Sequence, residues 1–434
     1  MPIDFHLSPT ESGVRAAAQT FARDVLIPSR RAPSSSAVSQ QDRFAGTRAL
    51  YEAAVTLGLI KAQIAAPLGG TAGSLVEAAL LVEECYAADP SGASLTVFGT
   101  ALGLMPLQLA PHAEKYVGFL EPFLMAGEGD APLASLVFSE PGGTANWLEK
   151  GAPGLQTTVR KEGEEWVVSG EKVWGTNCAG WDGRGAELQV VVCRDVTTAA
   201  REGEDPKERI VIVLVTRADI VRNDDAAFQV VQHLETMGHK SYSGAHVRFT
   251  HLRVPQANIL CGPGPQAVRT VLSSFDNTGV LVGAMAVGVM RAAFDAALAF
   301  AKADSRRGAT PLLERQAVAD KLGDIKMNAE ACRALTWKAG HALGNGPGEY
   351  QERRELALAT KVFCSEAAVK AVMDAISVVG VTAYDTAQPF AELLNTAIAL
   401  PIFDGGNVAM RRRHMQDIML SPNYDPWGAT FGQS

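Results

Sequence analysis

Along the first 130 residues apolar positions recur three and four apart, in stretches such as ESGVRAAAQTFARDVL and SLVEAALLVEECYAA, separated by breaks such as PLGGTAG. That spacing puts apolar side chains on one helical face and predicts a helical domain over residues 1–130. Ser8 followed by Pro9 reads as an N-cap and first helical position. From 131 to 262 the texture changes to short runs rich in Val, Ile, Thr and aromatics: LASLVF, LQTTVRK, EWVVSGEKVW, LQVVVCR, IVIVLVTR and AHVRFTHLRV. Polar and glycine-containing turns separate them, which predicts an antiparallel sheet or small barrel rather than βαβ units. The stretch DVTTAAREGEDPKER between two runs reads as a solvated loop. From 263 to 434 long helical patterns return, as in VGAMAVGVMRAAFDAALAFAKA, and predict an up-and-down helical bundle. The expected class is α+β, mainly α.

With 434 residues, 47% hydrophobic and 20% charged, the chain is able to bury a large core. Its net charge of −8 argues against nucleic acid and anionic membranes as partners, because both select a basic face. No run of about 18 uninterrupted apolar residues occurs, and MPIDFHLSPTESGVR lacks a basic region followed by an apolar one. A cytoplasmic location is the expectation. Cys85, Cys178, Cys193, Cys261, Cys332 and Cys364 show no C-x-x-C, and the histidines show no ligand spacing. Neither a disulfide framework nor a metal site is expected.

Four stretches carry candidate chemistry. GPGPQA at Gly262–Ala267 fits a dinucleotide fingerprint in letters, but two prolines and the lack of a βαβ context make it a domain-joining loop. SEPGGTANW, Ser139–Trp147, puts small residues, a hydroxyl and backbone N–H groups at a strand end. GEKVWGTNCAGW, Gly170–Trp181, offers an aromatic face beside a hydroxyl, and alone reads equally as a core tryptophan beside a turn. In LPIFDGGNVAMRRRHMQ, Asp404 ends an apolar run, two glycines follow, and a helix opens with three arginines. The apolar approach desolvates the carboxylate and raises its pKa, while a nearby arginine lowers it and fixes its orientation. Gly405 and Gly406 allow a tight turn, Asn407 is placed to cap the next helix, and Arg411 on its first turn reaches back to Asp404. Arg412 and Arg413 point elsewhere, to solvent, phosphate or another subunit. By itself Asp404 reads as a loop carboxylate paired with these arginines.

Taken in order, a helical domain, S-E-P-G, G-x-K-x-W-x-T-N in a β domain and a helical bundle ending in an acidic residue and glycine closely resemble the acyl-CoA dehydrogenase superfamily. The resemblance spans essentially the whole chain. GLIKAQ, PLGGT, SLVEAALLVEE, TALGLMP, GTANWLEKGAPGLQTT, VADKL, FDGGN and RRRHMQ are most similar to the nitroalkane oxidases within it. The resemblance implies the acyl-CoA dehydrogenase fold: helical N-terminal domain, central β-barrel-like domain and C-terminal four-helix bundle, assembled as a homotetramer. It also implies an FAD whose flavin lies between the β domain and the C-terminal helices.

Asp404 would be the catalytic base, where the dehydrogenases usually have Glu, with Arg411 holding its carboxylate. Thr278 stands where the nitroalkane oxidases have a serine beside the flavin and the base. Thr176 matches the hydroxyl that meets flavin N5 and Trp174 the aromatic beside the ring, while Leu136, Phe138 and Ser139 match positions along the isoalloxazine. Arg306 and Gln316 match residues that reach the FAD pyrophosphate, often across a subunit boundary, and Gly380 a glycine near the adenosine half. The implied reaction oxidises a neutral nitroalkane to an aldehyde or ketone. Asp404 takes the α-proton, the carbanion attacks flavin N5, nitrite leaves, and oxygen accepts the electrons as hydrogen peroxide.

One segment departs from that pattern. SFDNTG, Ser274–Gly279, is closer to the F-D-x-T-R by which the dehydrogenases help hold CoA, although Gly279 replaces the arginine. Asn395 and Thr396 replace their usual Arg-Asp, and Ala145 replaces their serine in the loop after the first strand. Those three replacements disfavour CoA. The alternatives are an acyl-CoA dehydrogenase passing electrons to another flavoprotein, a flavin-dependent monooxygenase on the same fold, and a non-catalytic flavoprotein.

Overall fold

Pro9 opens the first helix, α1 (Pro9–Phe21), beneath a reciprocal cap: the Glu11 N–H donates to Ser8 Oγ at 3.2 Å and the Ser8 N–H to Glu11 Oε2 at 2.7 Å. The computed structural model describes residues 6–30 and 39–432. Further N-terminal helices that bear on the site are α2 (Arg48–Thr56), α3 (Leu75–Ala88) and α4 (Leu95–Leu109).

Among the described residues, eight strands then form one sheet: β1 (Ala134–Val137), β2 (Thr158–Glu162), β3 (Glu165–Lys172), β4 (Leu188–Asp195), β5 (Ile210–Thr216), β6 (Phe228–Gln232), β7 (His246–Pro255) and β8 (Ile259–Cys261). Their order is β6-β7-β3-β2-β4-β5-β8, with β1 beside β4. The sheet is mixed rather than purely antiparallel, because β4 pairs in parallel with both β1 and β2. The chain leaves β1 through the long SEPGGTANW loop instead of a tight hairpin, which frees β1 to run alongside a strand distant in sequence. Both faces of β4 and β5 are buried. Val190, Val192, Ile212 and Leu214 face the core shared with the helices, and Val191, Cys193, Val211 and Val213 a second core inside the β region. Unbroken apolar runs at these strands follow from that double burial.

The C-terminal region consists mainly of α5 (Pro265–Ala303), α6 (Gln316–Asn345), α7 (Tyr350–Val379) and the shorter α8 (Phe390–Ala399). The three long helices pack pairwise, α8 lies against α5 and α7, and α3 from the N-terminal region also lies along α5. By length and composition α5 could cross a bilayer, but 72% of its most apolar stretch is buried inside the protein, as the shared core helix. Buried ion pairs reinforce the α3–α5 contact: Glu83 meets Arg291 at 2.9 Å and Arg333 of α6 at 2.8 Å. All six cysteines are buried and free.

Gly288 sits where α5 presses on α3, so closely that a Cβ there would lie 2.7 Å from the Glu83 carbonyl oxygen and 2.7 Å from Tyr86 Cβ. Backbone cannot yield as a side chain can. Gly288→Ala is expected to destabilise by about 1–3 kcal/mol. Gly118→Ala, with nothing within 4 Å of its Cβ position, is expected to be neutral or to stabilise by up to ~1 kcal/mol. Parallel thermal melts of the two variants check the contrast.

Candidate active site

The loop after α8 turns through three successive left-handed residues, Asp404 (φ 52°), Gly405 (φ 86°) and Gly406 (φ 43°). Asp404 is the costly member, since a side chain seldom adopts this conformation without compensation. Compensation comes from Arg411, which donates from Nε (2.9 Å) and Nη2 (2.6 Å) to the Asp404 carbonyl and from Nη2 to its Oδ2 at 3.0 Å. A Cβ at residue 405 would stand 3.0 Å from Arg411 Nε, so glycine is what lets the guanidinium close on the backbone.

The residues after the loop, Asn407–Arg411, form a single π-helical turn that leads into α9 (Arg412–Met419). Asn407 does not cap this helix, contrary to the expectation from its position. Its amide is drawn into α7, where Nδ2 donates to Ser365 Oγ at 3.0 Å and Glu366 Oε1 at 3.1 Å, and Oδ1 accepts from Lys361 at 2.7 Å. Inside the turn its backbone no longer has the geometry of a cap. Of the next arginines, Arg412 pairs with Glu366 at 2.8 Å, and Arg413 donates to Asn146 Oδ1 at 2.9 Å and to the Ala145 carbonyl.

One turn of α5 supplies the remaining partners of the carboxylate. Thr278 Oγ1 donates to Asp404 Oδ1 at 2.8 Å, closer than its 3.3 Å contacts to the Ser274 and Phe275 carbonyls. A hydroxyl has one proton, and the short charged acceptor takes it. The Phe275 carbonyl accepts from Arg411 Nη2 at 3.1 Å, and the Phe275 ring lies 5.5 Å from the guanidinium. Asp276, fully buried, stands 3.7 Å from Arg411 Nη1 and accepts from Arg354 Nε at 2.7 Å and the Tyr350 hydroxyl at 3.1 Å. Burial pushes the Asp276 carboxyl up, against the lowering effect of Arg354 and then Arg411.

Aromatic groups wall this cluster. Phe275 meets Phe138 edge-on at 5.5 Å, and Phe138 meets Trp147 at 5.0 Å. Phe403 packs against His239 at 5.8 Å, and burial brings that imidazole down to about 4. The motifs on the β side are tied together by a buried ion pair: Lys172 Nζ donates to Glu140 Oε1 at 2.9 Å and to the Phe138 carbonyl at 2.8 Å. The Val173 N–H also donates to the Ser139 carbonyl at 2.9 Å.

Trp174, Thr176 and Ser139 therefore share one edge of the β region, beyond the buried Leu136 and Phe138. Trp174 is 52% exposed at φ 67°, a large apolar ring that the chain's own atoms leave uncovered, next to the half-buried Thr176. An uncovered indole with hydroxyls beside it fits a flat heteroaromatic ring such as a flavin.

Arg306, Gln316 and Gly380 are not brought to this edge. Arg306 lies past the far end of α5, over the Phe300 ring at 4.7 Å, and donates to the Val379 carbonyl beside Gly380, while Gln316 opens α6 exposed. From Thr278 to the end of α5 at Ala303 is roughly 38 Å along the helix axis. Of the positions that discriminate CoA binding, Thr396 is buried and donates to the Pro90 carbonyl, while Gly279 is buried against the Lys361 stem. Sequence reasoning missed Asp276 as a partner of Arg411, together with Arg354, Tyr350, Lys361 and the Glu140–Lys172 pair. The acidic and basic residues inside SEPG and GEKVW were the one available signal for that last pair.

Two cavities border the Asp276 network without touching Asp404, Trp174 or Thr176. One of about 760 Å³ is lined by Ser273, Asn277, Tyr350 and Arg354 among others, and one of about 530 Å³ by Trp147, Arg354, Arg413 and His414 among others. Asp404, Arg411 and Thr278 line neither cavity.

Comparisons with known proteins agree in placing the chain. The N-terminal domain of the acyl-CoA dehydrogenases matches residues 8–124 and their C-terminal domain residues 268–419. The nitroalkane oxidase of Podospora anserina is 59% identical over 100% of this chain and 99% of its own. Its solved structure has a TM-score of 0.95 at 58% identity, covering 99% of this chain and 100% of that one. The nitroalkane oxidase of Fusarium oxysporum is 47% identical over 100% of this chain and 98% of its own. A nitroalkane oxidase active-site mutant crystallised with 1-nitrooctane matches with a TM-score of 0.96 at 45% identity, covering 99% and 100% of the two chains.

Breaking the Asp276–Arg354 contact leaves a buried carboxylate leaning on Arg411 alone. Arg354→Met is expected to destabilise the protein by about 3–5 kcal/mol. Arg412→Ala, which removes an exposed pair with Glu366, is expected to change stability by no more than about 1 kcal/mol. Thermal unfolding of both variants checks the difference.

Proposed function

The chain belongs to the acyl-CoA dehydrogenase family, within the nitroalkane oxidases; it is an FAD-dependent flavoprotein oxidase, and we propose that Asp404 begins its reaction by removing the α-proton of a neutral nitroalkane. The observation that carries this reading is a single aspartate held at three points beside an apolar wall: its carboxylate by Arg411 at 3.0 Å and by Thr278 at 2.8 Å, and its backbone carbonyl by Arg411 at 2.6 Å. Arg411 and Thr278 fix the direction of the Asp404 lone pairs, and the carboxylate is the form of the side chain able to accept a proton. Phe138, Phe275 and Phe403 keep bulk water from competing for that proton and leave the alkyl chain of a substrate apolar surroundings.

Bound FAD supplies an electrophilic N5 to receive the carbanion and the two-electron acceptor that oxygen later regenerates. Trp174, Thr176 and Ser139, with Leu136 and Phe138 behind them, would hold the flavin ring against this cluster. The overall change balances as nitroalkane, oxygen and water giving aldehyde or ketone, nitrous acid and hydrogen peroxide.

The working assembly in this reading is a homotetramer built on the C-terminal helices. Arg306 lies far along α5 from Asp404, so a flavin dinucleotide seated at Trp174 meets such an arginine from a neighbouring copy. Val381 and Tyr384, 85% and 91% exposed beside Gly380, are apolar groups suited to that contact. Loss of the CoA-associated arginine at Gly279 and the small Ala145 support a free nitroalkane rather than a CoA thioester as substrate.

Anaerobic mixing of the yellow protein with neutral nitroethane should bleach the flavin and release nitrite, and admitting oxygen should restore the colour with formation of peroxide. Absence of bleaching, with bleaching by an acyl-CoA thioester instead, would return the chain to the dehydrogenases.

A further inference from the structure

Lys361 of α7 is fully buried, yet the acceptors around its ammonium are neutral: the Pro401 carbonyl at 3.2 Å and Asn407 Oδ1 at 2.7 Å. Among the described residues it forms no ion pair within 4.0 Å, unlike the buried Lys172 with Glu140. Taking an ammonium out of water without a contacting counter-ion is costly, so its retention calls for a compensating role.

The two atoms it holds are the two ends of one loop. Pro401 and Asn407 are themselves joined, the Asn407 N–H donating to the Pro401 carbonyl at 2.8 Å, and Asp404 stands at the apex between them. Lys361 therefore grips the base of the loop from α7 while Arg411 grips its apex. The charged and titratable groups around this arrangement are Asp404 in the loop, Arg411 in the π turn and Glu366 on α7. Beyond Arg411 lie Asp276 of α5 with Arg354 and Tyr350 of α7. Burial brings the Lys361 ammonium down to about 7, opposed first by Asp404. It is thus charged on the acid side of neutrality.

We propose that Lys361 is a second positioning cation for the base: it clamps both ends of the Asp404 loop and, together with Arg411, places positive charge beside the Asp404 carboxylate. The inference rests on Asp404 being the base.

The test is the pH profile of kcat/KM for neutral nitroethane in the holoenzyme and in Lys361→Gln, Lys361→Met and Lys361→Arg, with preformed ethyl nitronate as the second substrate. Removing a cation near a carboxylate raises its pKa, so the acid limb should move up by roughly half to one pH unit in the Gln and Met variants. One pH unit below the wild-type limb this is roughly a three- to tenfold loss of kcat/KM. Lys361→Arg should leave the limb in place, and turnover of the nitronate, which needs no base, should change by less than about twofold in all three variants. A limb at the wild-type pH in Lys361→Gln overturns the proposal, since that variant keeps a donor for the loop and loses only the charge. If Lys361→Met does not fold, the Gln and Arg variants decide. A limb that appears equally with the nitronate belongs to some other group, and then the base assignment itself fails.

Discussion

Arg411 is shared between two carboxylates, Asp404 at 3.0 Å and Asp276 at 3.7 Å, and the geometry of the site depends on how that sharing is balanced. Were Asp276 without Arg354, Arg411 would be drawn toward it and away from Asp404. Were Arg411 absent, Asp404 would lose the contacts that compensate its left-handed backbone. The second arginine thus frees the first. In a buried chain of alternating charge, Asp404, Arg411, Asp276 and Arg354, each member has its charge compensated only while its neighbours are present.

That chain also explains why so much of the site comes from one turn of α5. Phe275, Asp276 and Thr278 each contact Asp404 or Arg411 by a different group: a carbonyl, a carboxylate and a hydroxyl. A rigid helix buried on nearly all sides over this stretch holds the three at fixed mutual distances, which a loop would not do. On the opposite side, the Glu140–Lys172 pair joins the strand end that carries Ser139 to the strand end that carries Trp174. The edge that carries Trp174 and Thr176 and the loop that carries Asp404 are positioned by separate buried ion pairs, with Phe138 against Phe275 as the apolar seam between them.

Much of this was legible in the sequence. Helical and strand periods marked the three regions, and FDGGN with RRRHMQ placed an acid, two glycines and an arginine at a spacing that one tight turn brings together. The mixed sheet was not legible, because the parallel β1–β4 and β2–β4 ladders join strands far apart in the chain and leave no local signature. Asn407 was misread as a cap because a π turn is not distinguishable from an α turn by composition. Asp276 was seen only as part of FDNT, the segment closer to the CoA-holding pattern of the dehydrogenases, since its true partners lie on α7 and beyond the loop, distant in the chain. Lys361 lies in an ordinary helical stretch, and only burial gives it meaning.

The central claim is that the caged Asp404 carboxylate accepts the proton. The most direct measurement is turnover of neutral nitroethane and of preformed ethyl nitronate by Asp404→Asn, since the amide keeps the size of the side chain and removes its basicity. A positioned base is worth about 10²–10⁴-fold, so the account predicts a loss of at least about 100-fold with the neutral substrate while the nitronate is oxidised at close to the wild-type rate. Equal loss with both substrates, or retained turnover of the neutral one, would contradict it.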